Sequence, residues 1–409
     1  MNEAVKGTPS VKEGGVKDLI VDSIKHNTKQ YTMFIALIAI WVIFTFLTDS
    51  VFLTARNLSN LFVQTVTTAI LAIGMVLIIV AGHIDLSVGS VLGFAGAVCA
   101  MFMIKLEWGV VPSVLATLLV GLAIGTWHGF WVAYRKVPAF IVSLASMLAF
   151  RGLIIGITGG QTQGLEMAPE AAANSFKLIG QGYLPTIAAA AEGHVHDTSL
   201  YCSVAVIALF VASGLRKRAA RLKYGFTVLP LKLEILRLAF LSAIIGTFAM
   251  IMVMYLGIPW SVVLVLALAV LFSFIAGNTR FGRHLYAIGG NPEAAKLSGI
   301  DIPRRTLALW MIMGVMTAVA GIVYTARLNA ATTSAGQNAE LDAIAAAVIG
   351  GTSLLGGEGT IFGAVIGALV MASLDNGMSL MNLDITFQYV IKGLILLLAV
   401  WVDMAQRKK

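Results

Sequence analysis

The chain has 409 residues, of which 58% are hydrophobic and only 12% are charged. A soluble domain carries about twice that charged fraction, so the composition excludes a soluble globular protein. The net charge of +8 lies mostly in short stretches between apolar runs, which is typical of membrane proteins and argues against a nucleic-acid partner. Repeated apolar runs of about 18 residues or more predict an all-α fold, a polytopic transmembrane helical bundle.

The first part of the chain begins with a polar, lysine-rich stretch and continues with apolar runs. We predict a cytoplasmic tail over residues 1–30 and a transmembrane domain over residues 31–403. The first predicted spans cover residues 31–48, 61–81, 86–104, 110–134 and 138–158.

A long polar loop, residues 159–198, comes next, and Lys177 is its only basic residue. His194, His196 and Asp197 lie close together in it, and three such side chains could in principle bind a metal ion. Polar loops often collect histidines, however, and we predict no metal site here.

The rest of the chain alternates basic loops with further apolar runs. The predicted spans cover residues 200–214, 238–256, 261–276, 307–326 and 389–402, with a Gly-rich region at 342–373. Basic residues concentrate in the loops 215–237 and 277–306 and in the tail 404–409. The positive-inside rule places these loops and both chain ends in the cytoplasm, and the loop 159–198 outside. Both ends on one side require an even number of crossings, and we predict about ten.

Small residues recur at spacings that let helices approach closely. Glycines four residues apart allow helix backbones to touch in lipid, so these pairs predict packing contacts within the bundle. The pairs and triplets are Gly89 and Gly93; Gly121, Gly125 and Gly129; Gly152 and Gly156; and Gly363 and Gly367.

Two Gly-interrupted segments occupy comparable places in the two halves of the chain. One reads AGHIDLSVGSVLGFAGAV from Ala81, and the other reads IGGTSLLGGEGTIFGAVIGAL from Ile349. Such pairs indicate pseudo-related halves around a translocation path. The candidate path or gating residues are Asp85, Ser87, Gly89, Gly350, Gly351, Gly356, Gly357, Asp375 and Asn376.

The polar members of that set also have a purely structural interpretation. Asp85, expected near the cytoplasmic edge, is placed to cap the helix that follows it. Asp375 and Asn376 are interpreted similarly, as residues that close a span. Arg151 and Lys392 fall close to span ends and are expected to extend their charges toward water.

The loop 277–306 contains the signals of a complete short helix. Asn291 is a good N-cap, Pro292 suits the first helical position, Glu293 favours the positive end of the helix dipole, and Gly299 ends the helix. A helix of about two turns is not stable alone in water. The pattern therefore predicts a helix that a partner covers, although a solvated loop with incidental helix signals is the alternative.

The same loop offers apolar and basic contacts to a partner. Ala294, Ala295 and Leu297 are predicted to form its apolar face, which Tyr286 and Ile288 extend. The flanking arginines suit acidic residues of a partner or anionic lipid heads. These flanking residues are Arg280, Arg283, Arg304 and Arg305.

The sequence offers little for catalysis. It contains no Gly-Lys pair, which a phosphate-binding loop needs, and no His-Glu-x-x-His motif. We therefore predict a protein that is not an enzyme and that needs no cofactor. We also find no convincing ion-coordinating group for the middle of the membrane, so any uphill transport is expected to take its energy from elsewhere.

Three ordered segments resemble signatures of one transporter family. YAIGGNPEAAKLSGI, GHIDLSVGSVLG and LDAIAAAVIGGTSLLGGEGTIFGAVIGAL are similar to segments of permeases in bacterial ABC sugar importers of the ribose, galactose and xylose group. WVAYRKVPAFIVSLASMLAFRGLIIGIT, MASLDNGMS and QYVIKGLILLLAVWVD resemble the xylose type most.

This resemblance implies a type II-like permease that forms a homodimer in the bacterial inner membrane. It implies two further partners, an ATPase with two nucleotide-binding cassettes and a periplasmic sugar-binding protein. It also implies which helix the ATPase groove receives: Asn291, Pro292, Glu293, Ala294, Ala295, Lys296, Leu297, Ser298 and Gly299. The alternative is an ion-coupled secondary transporter or facilitator that acts without an ATPase.

Overall fold

The computed structural model describes residues 28–187, 195–226, 228 and 230–407. Nearly all of the predicted tail 1–30 lies outside this part of the chain, as does His194. The described helices are α1 (Thr28–Leu47), α2 (Ala55–Val80), α3 (Val88–Lys105), α4 (Val110–Ala133), α5 (Ala139–Thr158), α6 (Glu170–Gln181), α7 (Asp197–Lys223), α8 (Leu231–Val253), α9 (Trp260–Asn278), α10 (Arg280–Gly290), α11 (Pro292–Leu297), α12 (Ile302–Leu328), α13 (Ala339–Ile349), α14 (Ile361–Leu380) and α15 (Ile385–Arg407).

Most of these helices are membrane spans by length and composition. Within the described residues, nine are long and apolar enough to cross a bilayer, and α1 and α15 contain shorter apolar stretches. The only described strands are two residues each, β1 (Gln163–Gly164) and β2 (Ala330–Ala331), which pair antiparallel. The predicted all-α polytopic bundle is confirmed.

The helices divide into a central group and a peripheral hairpin. In α2, 83% of the most apolar 18-residue stretch is buried. Only 11% of the corresponding stretch is buried in α7, and the same fraction in α8. α12 packs along α4 through glycines, because a side chain at Gly121, Gly125 or Gly129 would meet atoms of α12. The α7–α8 hairpin therefore lies at the edge of the bundle.

The base of this hairpin is closed by the segments on either side of it. The amide of Leu184 donates to the carbonyl of Ile258 (3.0 Å), and the amide of Trp260 donates to the carbonyl of Gly182 (3.0 Å). The chain thus leaves the bundle and returns to it at nearly the same point.

The loops gather at two ends of the bundle, which we call the sheet end and the basic end. The sheet end carries β1, β2, α6 and the closed base of the hairpin. The basic end carries α10 and α11, the turn after α4 with Arg135 and Lys136, and the basic last turns of α7. The charges that the sequence places in cytoplasmic loops therefore share one end.

Two helices begin inside the bundle instead of at an end. α3 runs parallel to α12, and Leu92 lies against Gly321 while Gly96 lies against Thr325. Four residues before Leu92, Val88 is thus level with Thr317, near the middle of the 27-residue α12. Residues 81–87 reach this level as irregular chain from the end of α2.

The eleven-residue α13 begins at the same level and runs back to the basic end. Gly89, at the start of α3, contacts Gly336 and the side chain of Glu340 at the start of α13. The predicted Gly-rich region 342–373 therefore covers most of α13, a loop at residues 350–360, and most of α14. The break that faces α3 lies before α13, a position that the sequence pattern did not identify.

Candidate functional site

The predicted short helix is present as α11 at the basic end. The Asn291 side chain accepts from the Ala294 amide (3.0 Å), and Pro292 occupies the first turn. Gly299 follows the helix with φ of +81°, a value that favours glycine. The N-cap, the first-turn proline and the terminating glycine were all predicted correctly.

The apolar face of this helix differs in part from the prediction. Leu297 is 90% exposed at the tip, and Ala294 is also exposed. Ala295, however, is 4% exposed and faces its own chain, as does Ile288 in α10. A six-residue helix cannot hold its shape without support, so one side rests on the rest of the chain and only the other side remains for a partner.

The basic flank of the site lies on α10 and at the start of α12. Arg280 and Arg283 are on the exposed face of α10. Arg304 pairs instead with Asp301 in its own helix, with Nε to Oδ2 at 3.1 Å. Desolvation, followed by the charges of Arg305, Arg283 and Arg280, lowers the pKa of His284 from its ordinary value of 6.5. This face is therefore strongly cationic.

The inner face of α10 rests on the loop 350–360 and on the end of α2. The Tyr286 hydroxyl donates to the carbonyl of Gly359 (2.7 Å), and the Gly357 amide donates to the carbonyl of Val80 (2.8 Å). Gly289 lies so close to Val80 and Gly357 that a methyl group there would overlap both backbones. Tyr286, predicted as part of the outer apolar face, thus holds the helix to its own chain.

Four of the candidate path glycines, all except Gly89, lie in or beside the loop 350–360. Gly356 and Gly357 pack against Gly289 and Gly290, and Gly350 packs against Gly363 at the start of α14. Gly351, Gly356 and Gly357 have φ of +90°, +88° and +74°, which only glycine adopts readily. The structure therefore places these four glycines beside α10 or at its supporting loop.

Asp85 lies in the irregular segment 81–87 and is almost fully buried, 2% exposed. One of its oxygens accepts from the Ser87 amide (2.8 Å) and the Ser87 hydroxyl (2.6 Å). Its interaction is thus a local turn before α3, close to the expected cap. His128 and Glu340 are near enough to act on it electrostatically, so it belongs to the interior junction of α3 and α13.

A cavity of about 480 Å³ opens beside this segment at the basic end. Gly82, His83 and Ile84 line one side, and Lys136 and Phe140 line the other. The irregular segment thus forms one wall of this cavity.

Asp375 and Asn376 do not close a span, because α14 continues to Leu380. Asn376 exchanges hydrogen bonds with Asn57 of α2 (2.8 and 3.1 Å). Asp375 faces Lys392, whose ammonium lies 2.9 Å from Asp375 and 3.1 Å from Asp342. Both residues therefore join helices within the bundle.

The two cations expected to reach toward water are also held inside. Lys392 lies between the two aspartates just described, and Arg151 donates to the carbonyl of Ala335 (2.9 Å) in the loop before α13. Sequence position alone suggested span ends, whereas these side chains have partners on other helices. The expectation of charges extended toward water was wrong for both.

In the predicted loop 159–198, His196 caps α7. Its Nδ1 accepts from the Ser199 amide (3.3 Å), and its Nε2 lies 2.9 Å from the Leu184 carbonyl. Both ring nitrogens are thus engaged within the protein. No group of three His, Cys, Asp or Glu residues in the described ranges could hold a metal ion, and His194 lies outside those ranges.

The chain was compared with known proteins. Residues 57–400 match the family described as the branched-chain amino acid transport system permease component, and the chain belongs to this family. It is 46% identical to the xylose transport system permease protein of Haemophilus influenzae, over 94% of this chain and 98% of that protein. It is 47% identical to the Escherichia coli protein of the same name, over 94% and 93%. No solved structure gives a significant match.

A ribose import permease protein of Escherichia coli is 32% identical, over 94% of this chain and 97% of that protein. The predicted relationship to ABC sugar-importer permeases is confirmed. The chain is a multi-pass membrane protein and a transport subunit.

Proposed function

We propose that the chain is the membrane subunit of an ATP-driven importer that carries xylose into the cytoplasm. The observation that carries this proposal is Leu297, 90% exposed on a capped helix outside the spans. An exposed leucine at the tip of a helix gains free energy when a partner buries it, so this tip is suited to a complementary apolar groove. An ATPase with two nucleotide-binding cassettes is the partner that the family resemblance provides.

The charge distribution supports an orientation for this machine. α10 and α11 share the basic end with Arg135, Lys136 and the basic turns of α7. The positive-inside rule favours the cytoplasm for that end and for both chain ends. The sheet end, where Glu166 and Glu170 lie, then faces the periplasm and receives a sugar-binding protein.

Xylose is proposed from the relatives. Two proteins named as xylose transport permeases are 46% and 47% identical to this chain, whereas a ribose permease is 32% identical. The family description names branched-chain amino acids, whereas these relatives, aligned over 94% of the chain, are named for sugars. The binding protein is expected to supply most of the selectivity.

A second copy of the chain is proposed to pack on α5. Ala145, Ala149, Gly152 and Gly156 form an exposed stripe along this helix. A side chain at Gly152 or Gly156 would meet nothing within 4 Å, although the other predicted glycine pairs contact neighbouring helices. Small residues at this spacing let two helices approach in lipid, and the remaining bilayer contact is with lipid itself.

The ATPase contact is tested by replacing Leu297 with arginine. The variant should insert normally and lose ATPase co-purification and xylose uptake, since a charge replaces the apolar tip. Leu222→Arg is the matched control, because Leu222 is an exposed leucine at the basic end of the peripheral hairpin. Normal uptake by Leu297→Arg would overturn the proposed coupling role.

The energy source is tested by reconstitution. With its ATPase and binding protein, the chain in liposomes should accumulate xylose only when ATP is supplied. The chain alone should accumulate none under a proton or sodium gradient. Accumulation under such a gradient would favour the ion-coupled alternative instead.

A further inference from the structure

We infer that Tyr286, Gly289 and Gly357 are positioning residues that carry movement of the coupling helices to α13. This inference rests on the proposed function. We call the contact that they form, together with Val80 and Gly359, the α10 joint.

The α10 joint consists mostly of backbone against backbone. Gly289 approaches Val80 and Gly357 with no side chain between them. A Cβ atom added to Gly356 would lie only 2.7 Å from the Gly289 carbonyl oxygen. The Gly357 amide bonds to Val80 (2.8 Å), and the Tyr286 hydroxyl bonds to Gly359 (2.7 Å). Such a contact has no flexible side chain to absorb a displacement, because packed interiors deform little.

The loop 350–360 is braced, so it moves together with α13. The Ser353 amide donates to the Glu358 carbonyl (2.9 Å), and the Gly356 amide donates to the Ser353 carbonyl (3.0 Å). The Thr352 amide donates to the Ala347 carbonyl in α13 (2.9 Å). A push on this loop is therefore passed to the helix before it.

The far end of α13 meets the start of α3 inside the bundle. The eleven residues of α13 span about 16 Å from the loop 350–360 to the first turn of α13. In that first turn, Glu340 contacts Gly89. One oxygen of Glu340 is buried there without a hydrogen-bond partner, and Asp85 is close enough to act on its charge. A shift of α13 changes this polar contact directly, so the junction of the two helices is where coupling reaches the permease interior.

A second route exists through α12, to which α11 is joined by the chain. That connection passes through Gly299, whose φ is +81°, and a side chain there would meet nothing within 4 Å. The turn is thus exposed at Gly299, and its backbone hydrogen bonds, from the Gly299 amide to the Lys296 carbonyl (3.0 Å) and from the Ile300 amide to the Ala295 carbonyl (3.2 Å), stay within α11 and the turn itself. The α10 joint is the more direct route because α10 is hydrogen-bonded to the loop 350–360.

The test uses the full complex of permease, ATPase and binding protein in liposomes. Tyr286→Phe removes one hydroxyl, and Gly357→Ala adds a methyl group 3.0 Å from Gly290. Gly225→Ala is the control, because Gly225 has φ of +73°, close to the +74° of Gly357, but no atom within 4 Å of an added methyl. The measured quantity is xylose imported per ATP hydrolysed.

Tyr286→Phe and Gly357→Ala should retain the ATPase at the wild-type ratio and should still hydrolyse ATP. In Tyr286→Phe, import per ATP should fall about fivefold, the effect of losing one hydrogen bond, and Gly357→Ala should lower the same ratio because its methyl group separates the packed backbones. Gly225→Ala should leave import per ATP unchanged. A purely structural role would lower complex yield and leave this ratio as it is.

A wild-type ratio in assembled Tyr286→Phe would overturn the inference, and this variant adds no bulk, so it remains informative if Gly357→Ala does not fold. An equal fall in Gly225→Ala would also overturn it, because backbone strain alone would then suffice. Failure of the proposed function is distinguishable, since the wild-type chain would then retain no ATPase.

Discussion

Lys392 shows how a single residue can join three helices. Its ammonium lies between Asp342 of α13 and Asp375 of α14, and Lys392 itself is about two turns from the sheet end of α15. Charges removed from water are tolerated when they are paired, and removing one partner leaves the others uncompensated. The cluster therefore ties α15 to the two helices that follow the interior break.

Replacing Lys392 with methionine should destabilise the protein by about 3 kcal/mol, because two aspartates lose their cation. The measurement is the thermal unfolding temperature in detergent. The triple variant Lys392→Met, Asp342→Asn, Asp375→Asn should recover most of this loss, since no charge remains. A single variant as stable as the wild type would show that the cluster is solvated.

His284 makes stability depend on pH. Because desolvation and nearby arginines lower its pKa below 6.5, the folded chain binds the proton less readily than the unfolded chain. The free energy of unfolding is therefore highest above pH 6.5, where His284 is neutral in both states. It decreases as the pH falls through the lowered pKa, because protonation favours the unfolded chain. Between pH 7.5 and 5.5, His284→Gln should lose less thermal stability than the wild type. Equal losses in both proteins would contradict this assignment.

Among the elements, α5 and α4 use glycine in opposite ways. Gly125 of α4 contacts Trp310 of α12, whereas Gly152 of α5 is open. Gly152→Leu should therefore preserve the folded single chain and abolish pairing with a second copy. Gly125→Leu should instead disturb the fold, because its side chain would overlap the Trp310 backbone. Chemical cross-linking in membranes, with protease resistance as the folding measure, separates the two results.

Local elements were predicted well where their signals are local. The caps of α11 depend on Asn291, Pro292 and Gly299, which act within a few residues of one another. The start of α13 could not be predicted, because Asn338 makes no side-chain cap and the helix begins where α3 packs on it. Sequence periodicity does not contain that tertiary contact.

The polar residues of the candidate site were harder to interpret for the same reason. Asp375 follows an apolar run and thus resembles the end of a span, but α14 continues past it to Leu380. Its partner Lys392 is on another helix, and no pattern within either helix connects them. Tyr286 looked like outer apolar surface, although its hydroxyl contacts a loop more than seventy residues away.

For the whole molecule, the clearest prediction concerns sidedness. In a Cys202→Ser background, a cysteine placed at Lys223 should react with an impermeant maleimide only from the cytoplasm. A cysteine at Lys177 should react only from the periplasm, because α6 lies at the sheet end. Labelling of intact and opened cells distinguishes the two. The reverse pattern would invert the proposed orientation.

The closed base of the α7–α8 hairpin has a consequence for how such permeases diverge. Because Leu184 is hydrogen-bonded to Ile258, the α7–α8 hairpin leaves the bundle and returns to it at one point. The hairpin crosses the bilayer twice, so inserting or deleting it does not change the orientation of any later span. Related permeases can therefore differ by the presence of this hairpin while the remaining helices keep their arrangement.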